Sequence, residues 1–301
     1  MTETVFEAED GISDPEWLEL VREASADGQR FFTENQLYLA YARNKVQITR
    51  YIARRGLLGL AMIVVGLGTW VYALKVDWGI TLVVGIAITL GGVACVGTGV
   101  VTRRDPAARE PVMRWLAKWR AERQLEKFLG EPTLTSAGLE YLPERVEAVV
   151  FVQRDALADL LLKNEAQRAL SALIVSENGY PEALAAEARR LLSERSDLKL
   201  YALHDATAAG VGMRARLQRS AVFPVENREL LDIGLFPADV TWLAELAPAI
   251  PSEHTSRVPL DSLSFAALLS GLRGVLGGAL SLHAAIDDAG DLSEQSASQP
   301  G

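Results

Sequence analysis

Two uncharged stretches constrain the fold of this chain more than any other feature. Gly56 to Leu74 runs for 19 residues without a charged side chain, and Gly79 to Val101 does so for 23. Each is long enough, as a helix, to cross about 30 Å of hydrocarbon. The sequence therefore predicts two transmembrane helices, 56–74 and 79–101, joined as a hairpin. A pair of buried helices is the alternative interpretation.

Basic residues on both sides of the hairpin predict its orientation. Five Lys or Arg residues lie within 43–55 and four Arg within 103–114, whereas the turn between the stretches holds one Lys and one Asp. Short loops rich in Lys and Arg stay on the cytoplasmic side of a membrane. We therefore expect an integral, multi-pass protein of the inner membrane with both termini in the cytoplasm and the lipid bilayer as a partner.

The second stretch carries a small residue at every fourth position, where another helix backbone can approach closely. The first stretch is one candidate partner for this face. A second copy of the chain is the other candidate, which predicts a homo-oligomer. The residues of the stripe are Ala87, Gly91, Cys95 and Gly99.

Helices are predicted on both sides of the hairpin. Asp14 to Ser25 has an Asp cap and a Pro at the first helical position, and a longer helix begins near Thr33 and continues into the first span. Together they predict an N-terminal helical stalk. After the hairpin, a basic helix is predicted from Pro111 to Gly130. Its Trp115 and Trp119 lie either at the membrane surface or against a soluble domain.

The charge of the remaining chain argues against one class of function. Residues 131–301 carry 24 acidic against 14 basic side chains. Binding to nucleic acid regardless of sequence depends on many Lys and Arg contacts to phosphates, so this part is a poor candidate for it. The basic residues Arg214, Arg216 and Arg219 are interpreted as the solvated face of a helix.

From Val146 onward, short β-branched runs alternate with helical segments. This alternation predicts an α/β domain with parallel strands and crossover helices on both faces. Ligands of such sheets bind where strands end and helices begin. The apolar runs are 149–152, 172–175 and 198–203, and the helical segments that follow them are 155–162, 181–196 and 208–219. The strand-end segments are 153–155, 176–179 and 204–210.

Three motifs follow one another in this region: VVFVQRDALADLL, LIVSENGYP and LKLYALHDATAAGVGMRARL. Their order resembles the Toprim domain in the version of the topoisomerase VI A subunit and its meiotic double-strand-break relatives. In that family one strand ends in Glu-Lys, a later Gly-Tyr-Pro opens a helix, and another strand ends in Asp-x-Asp-x-x-Gly. The resemblance covers about residues 146–245. Within this range, residues 234–240 resemble a segment that follows the domain in the family. The matching residues are Gly179, Tyr180, Pro181, Asp205 and Gly210.

The departures from the family pattern affect its chemistry. The resemblance implies a Glu and two Asp residues that act with Mg²⁺ beside a phosphate, but Gln153 stands in place of the Glu and Thr207 in place of the second Asp. Mg²⁺ prefers carboxylate oxygens, so the loss of two weakens any metal site. Asp205 stays a possible metal ligand, with Glu177 as a substitute carboxylate. The resemblance thus implies a degenerate site with no cofactor or a weakly bound Mg²⁺.

The sequence predicts a binding site at the strand ends. The preferred function is a membrane-anchored, non-catalytic sensor or scaffold that binds a nucleotide, a nucleic-acid end or a protein partner. The alternative is a membrane-tethered, Mg²⁺-dependent phosphodiester enzyme whose catalytic candidates are Asp205 and Glu177. The predicted ligand-binding residues are Gln153, Asn178, Gly179, Asp205, Thr207 and Gly210.

Hydrolase and zinc chemistry are not indicated. His204 and Asp205 are neighbours on a strand, and their side chains therefore point to opposite faces. The chain has no Gly-x-Ser-x-Gly motif, and His254 and His283 lack the spacing of zinc ligands. This pattern favours a binding role over a hydrolase.

The C-terminal part is predicted to be helical. Phe236 to Leu246 predicts one helix, and Leu260 to Ala285 another, which Arg273 and four glycines make unsuitable as a third span. It is expected to pack on the soluble domain or the stalk. The predicted organisation is 1–55 helices, 56–101 hairpin, 103–145 basic helix and linker, 146–250 Toprim-like domain, 251–286 C-terminal helix and 287–301 disordered tail.

Overall fold

The structure is a computed structural model. It describes residues 14–76, 84, 86–90, 93, 113–114, 116–118, 125–134, 138–241, 243, 257–279 and 281–286. The chain divides into two compact units, one formed by Met1–Tyr41 with Arg109–Gly301 and the other by Ala42–Ala108. The strands and the candidate site lie in the first unit.

The described residues form helices and strands that range from 2 to 43 residues in length. The helices are α1 (Asp14–Ala24), α2 (Glu34–Val76), α3 (Asp155–Lys163), α4 (Ala166–Leu170), α5 (Glu182–Glu194), α6 (Ala208–Val211), α7 (Met213–Arg219) and α8 (Phe265–Leu276). The strands are β1 (Phe32–Thr33), β2 (Phe128–Leu129), β3 (Ala148–Val152), β4 (Ala172–Ser176), β5 (Lys199–Leu203), β6 (Ala206–Thr207), β7 (Leu230–Asp232) and β8 (Arg257–Val258).

A four-stranded sheet forms the core of the first unit. Its strand order is β4-β3-β5-β7, and every pairing is parallel. Val150 lies opposite Ile174 on one side and Tyr201 on the other. All residues of β3 and β4 are buried, as expected for strands of a parallel sheet, which read as continuous apolar runs. The predicted α/β class with a parallel sheet is confirmed.

The strand order places a topological switch point between β3 and β5. From β3 the chain passes to β4 on one side of it, whereas β5 pairs with β3 on the opposite side. In open parallel sheets, the carboxyl ends of the strands flanking such a point form a crevice that binds ligands. In this chain those ends are Gln153 and Arg154 after β3, and His204 and Asp205 after β5.

Short strands attach the terminal segments to this unit. β1 pairs in parallel with β2, and β6 pairs antiparallel with β8. The first residues of α2 pack with α1 in a small apolar cluster around the fully buried Trp17. The other buried members of this cluster are Leu20, Leu37, Ala40, Tyr41 and Leu116.

The predicted membrane hairpin is corrected by the structure. None of the helices in the described part of the chain has both the length and the apolar composition needed to cross a bilayer. Residues 56–74 belong to a longer helix, α2, which starts in polar sequence at Glu34, and 79–101 is described at only a few positions. A charge-free stretch is necessary for a span but does not by itself provide one. The transmembrane hairpin and the inner-membrane, multi-pass localisation with cytoplasmic termini are therefore wrong.

Several predicted helices differ from the structure. The basic helix does not reach Gly130, because Lys127 has a positive φ of 61° and Phe128 and Leu129 pair with β1 instead. In the predicted helix Phe236 to Leu246, the described residues 236–241 and 243 contain a 3-10 turn at Asp239–Thr241 and no α-helix. The early end of the basic helix is explained by this pairing, because β1 lies about a hundred residues before β2 and is not part of the local sequence.

The predicted C-terminal helix is interrupted. α8 ends at Leu276, and residues 282–286 form a second helical segment. Gly271 and Gly274 lie against this segment: a Cβ on Gly271 would come within 2.7 Å of Ile286, and one on Gly274 within 2.6 Å of Ala285. The glycines therefore let the two segments pack closely, in addition to weakening the helix.

Other predictions concern residues outside those described. They include the small-residue stripe at Gly91, Cys95 and Gly99, the tryptophans Trp115 and Trp119, and the tail 287–301. Ala87, the described member of the stripe, is helical and exposed. The predicted homo-oligomer and disordered tail stay predictions.

Candidate functional site

Arg154, Asp205 and Asp261 meet at the carboxyl edge of the sheet and form what we call the strand-end cluster. The Arg154 Nε atom lies 2.6 Å from Asp205 Oδ2, and Nη2 lies 3.2 Å from Oδ1 of the same carboxylate. Arg154 Nη2 also donates to Asp261 Oδ1. One guanidinium therefore binds Asp205 with two nitrogens and also binds Asp261, which lies 107 positions after Arg154 in the sequence.

The two carboxylates receive further hydrogen bonds. The backbone N–H of Leu260 donates to Asp205 Oδ1 at 2.7 Å, and Asn35 Nδ2 donates to both Asp261 oxygens at 3.0 and 3.1 Å. The side chains of Asp205 and Asp261 are 5% and 2% exposed, and that of Arg154 is 32% exposed. Buried charges persist only when paired and hydrogen-bonded, and these partners meet that condition.

The electrostatics of Arg154 follow from these contacts. Burial works against its positive charge, but the carboxylates of Asp261 and Asp205 outweigh this effect. The pKa of Arg154 is therefore raised above its usual value. The guanidinium stays charged, so the strand-end cluster holds one positive and two negative groups.

Gln153 and Gly210 support the backbone of Asp205. Gln153 Oε1 accepts a hydrogen bond from the Asp205 N–H at 2.9 Å. A Cβ on Gly210 would lie 2.1 Å from the Asp205 carbonyl oxygen and 2.9 Å from Gln153 Oε1, so the space admits only glycine without a shift of backbone. Thr207 Oγ1 accepts the Gly210 N–H at 2.9 Å and caps α6. These three predicted ligand-binding residues position the strand end.

The turn after β4 forms a second group. Glu177 is bound by Arg216, with Nη2 at 2.8 Å from Oε1 and 3.0 Å from Oε2. Asn178 is exposed, and Gly179 has a φ of +87°, which favours glycine. The backbone N–H groups of Asn178 and Gly179 turn back onto Ser176. Among these residues, Asn178 offers its side chain to solvent.

Tyr180 of the Gly-Tyr-Pro motif joins three parts of the fold. Its hydroxyl donates to Asp159 Oδ1 at 2.7 Å and accepts the Leu134 N–H at 2.6 Å, while Asp159 Oδ2 accepts the Thr133 N–H at 2.8 Å. Burial raises the pKa of Tyr180, and the hydrogen bond to Asp159 raises it further. The motif therefore stabilises the fold by holding residues 133–134 against α3.

His204 is fully buried beside the strand-end cluster. Its Nδ1 lies 2.9 Å from the Asp205 carbonyl oxygen, and its Nε2 lies 2.9 Å from Asp232 Oδ1. The pair with Asp232 is an ion pair when the imidazole is protonated. Burial lowers the pKa of His204, yet Asp232 and the Asp205 carbonyl outweigh it, and the pKa is raised.

The contacts of Asp205 and Glu177 bear on the predicted Mg²⁺ site. Each carboxylate faces an arginine, Arg154 for Asp205 and Arg216 for Glu177. Within the described residues, no group of three or more His, Cys, Asp or Glu side chains could hold a metal ion. A metal at either carboxylate would have to displace a guanidinium that is already paired.

The structure brings some predicted site residues together and separates others. Gln153, Asp205 and Gly210 share contacts at the switch point, whereas Glu177 pairs on the neighbouring turn.

Asp261 and Asp232, which complete the site, were not predicted from the sequence, whereas Arg154 lies in the predicted strand-end segment 153–155 but was not among the predicted ligand-binding residues. The place of Arg154 directly after β3, next to Gln153, is the signal that located it. Asp261 follows no strand or motif, and Asp232 ends a strand of three residues, so neither has a local signal.

Of the residues that match the motifs, Asp205 and Gly210 lie in contact at the strand end, and Gly179 and Tyr180 belong to the turn after β4. Comparison of the chain with protein-family models, curated proteins and solved structures found no match.

Proposed function

We propose that this chain is a non-catalytic, Toprim-like α/β protein that acts as a sensor or scaffold and binds a protein partner at the carboxyl edge of its sheet. The observation that supports it is the strand-end cluster, in which Arg154 lies between Asp205 and Asp261. A Toprim-like enzyme needs carboxylates free to hold Mg²⁺ at this edge. In this chain the permanently charged guanidinium of Arg154 donates hydrogen bonds to the carboxylates of Asp205 and Asp261.

The exposed surface at this edge favours a protein partner over a phosphodiester. Ala208 and Ala209, which follow Thr207 directly, are exposed, and the side chain of Val211 is 44% exposed. Small apolar groups contribute contact area to a protein interface. They neither bind a metal ion nor carry a positive charge that could pair with a phosphate. Among the described residues, the same edge thus has a surface for docking, while the carboxylates of Asp205 and Asp261 are already paired.

A metal titration tests the non-catalytic part of this proposal. The melting temperature of the purified chain is measured with increasing Mg²⁺ and Mn²⁺, together with Asp205→Asn and, as a control of equal charge, Asp197→Asn at an exposed position. We expect no saturable rise in melting temperature in any of the three proteins. A saturable rise in the unaltered chain that Asp205→Asn removes and Asp197→Asn retains would favour the Mg²⁺-dependent enzyme instead.

A further inference from the structure

A cleft lies away from the strand-end cluster. Its volume is about 590 Å³, within the range of pockets that bind small molecules. It is formed by α5 and by the segment that runs from the end of α7 to Glu226, which includes Phe223 and Pro224. The cleft shares no residue with the strand-end cluster, so an inference drawn from it goes beyond the proposed function.

Two arginines line this cleft without acidic partners. Arg189 is exposed and, within the part of the chain that the structure describes, makes no hydrogen bond or ion pair. Arg219 donates from Nε to the Ala215 carbonyl at 2.9 Å, and its two terminal nitrogens make no described contact. Glu226 also lines the cleft but pairs with neither of them. Arg190, the next residue on α5, is in contrast paired with Glu187 and Glu194.

Other cleft residues add polar and apolar contacts. The Ser220 hydroxyl accepts the Val222 N–H at 3.1 Å, which leaves its own proton free to donate. Gln218 is half-buried and supplies an amide, while Val222 and the buried Phe223 provide an apolar wall. Two guanidinium forks, a hydroxyl and an amide are donors that together suit the oxygens of a phosphate.

We propose that this cleft binds a small phosphate-bearing anion through Arg189 and Arg219. The position of Arg189 connects the cleft to the turn after β4, because its Nη1 lies 3.9 Å from where a Cβ on Gly179 would be. A ligand there would contact both α5 and the segment after α7. The bidentate geometry of arginine makes it better suited than lysine to this role.

Calorimetric titration with inorganic pyrophosphate tests the site at low ionic strength, where charge interactions are least screened. We expect saturable binding of one pyrophosphate per chain, and a loss of at least about tenfold in affinity for Arg189→Ala and for Arg219→Ala, equal to about 1.4 kcal/mol each. Arg189→Lys should lose part of the affinity, since it keeps the charge and removes the fork. Arg190→Ala, the next residue on α5, removes the same charge outside the cleft and should bind as the unaltered chain does.

Two results would overturn the proposal. The first is the absence of saturable pyrophosphate binding in the unaltered chain. The second is an equal loss of affinity in Arg190→Ala and Arg189→Ala, which would assign binding to net charge and not to the cleft. Melting temperatures of all variants identify any change in folding, and because both cleft arginines are exposed we expect these temperatures to stay within a few degrees.

Discussion

Arg154 is the residue on which the strand-end cluster depends. Its side chain separates two carboxylates that are almost fully buried. Substitution by Met keeps much of the length and apolar stem of the side chain but removes the charge. Since removal of one partner leaves buried charges uncompensated, Arg154→Met should lower the free energy of unfolding by about 3 kcal/mol.

Urea denaturation measures this loss. Arg190→Met is the matched control, because Arg190 pairs with Glu187 and Glu194 on the surface, where ion pairs contribute about 0 to 1 kcal/mol. A loss for Arg154→Met no larger than that of the control would show that the strand-end cluster does not stabilise the fold through its buried charges.

His204 predicts a pH dependence of stability. The pKa of His204 is raised in the folded protein. The stability that this shift contributes is complete below the unfolded pKa of His, about 6.5, and is lost as the pH rises through the folded pKa. The melting temperature should therefore fall as the pH rises from 6.5. Asp232→Asn, which removes the carboxylate 2.9 Å from Nε2, should flatten this dependence. An unchanged slope in that variant would contradict the role given to Asp232.

Gly210 predicts a steric effect of a single methyl group. In Gly210→Ala the added Cβ would lie 2.1 Å from a backbone oxygen, so the strand end must shift. We expect a loss of about 2 kcal/mol or more in the free energy of unfolding, in the range of overpacked sites. Gly212→Ala is the control, because its Cβ would meet the flexible end of Arg216 at 3.1 Å and should destabilise less. Equal losses in urea denaturation would refute the steric argument.

At the scale of elements, local pattern predicted the strands that read as apolar runs. β3, β4 and β5 and the helices α3 and α5 occupy the predicted segments within one or two residues. β7 was missed because it has three residues, and the predicted helix 208–219 is divided at Gly212 into α6 and α7. Short elements depend on pairing and packing more than on their own sequence.

The start of α8 gives a prediction at this scale. Ser264 Oγ accepts the Ala267 N–H at 3.2 Å and so caps the helix. Loss of the cap in Ser264→Ala should lower the free energy of unfolding by about 1 kcal/mol, whereas Ser264→Asp keeps an acceptor and should lose less. Thermal or urea unfolding of both variants measures the difference. A similar loss in both would argue against the cap.

At the scale of the whole molecule, Asp261 links segments far apart in sequence. Its carboxylate binds Asn35 near the N-terminus and Arg154 after β3, and its carbonyl accepts the Thr33 hydroxyl at 3.3 Å. Asp261→Asn should therefore speed hydrogen exchange at residues 32–36 and 257–263 together. Exposed Asp197→Asn should change neither segment. Faster exchange confined to 257–263 would show that the two segments are not coupled.

The sequence by itself determined the parallel α/β sheet and located the strand ends that build the site. Runs of β-branched residues and helical spacing are local properties, and a parallel sheet places the ends of its strands at one edge. The length of an uncharged stretch, also a local property, did not suffice to establish a membrane span. Only the tertiary structure decided that Arg154 joins Asp205 to Asp261. No local pattern encodes a contact across 107 residues, because it depends on how β8, α2 and the sheet pack together.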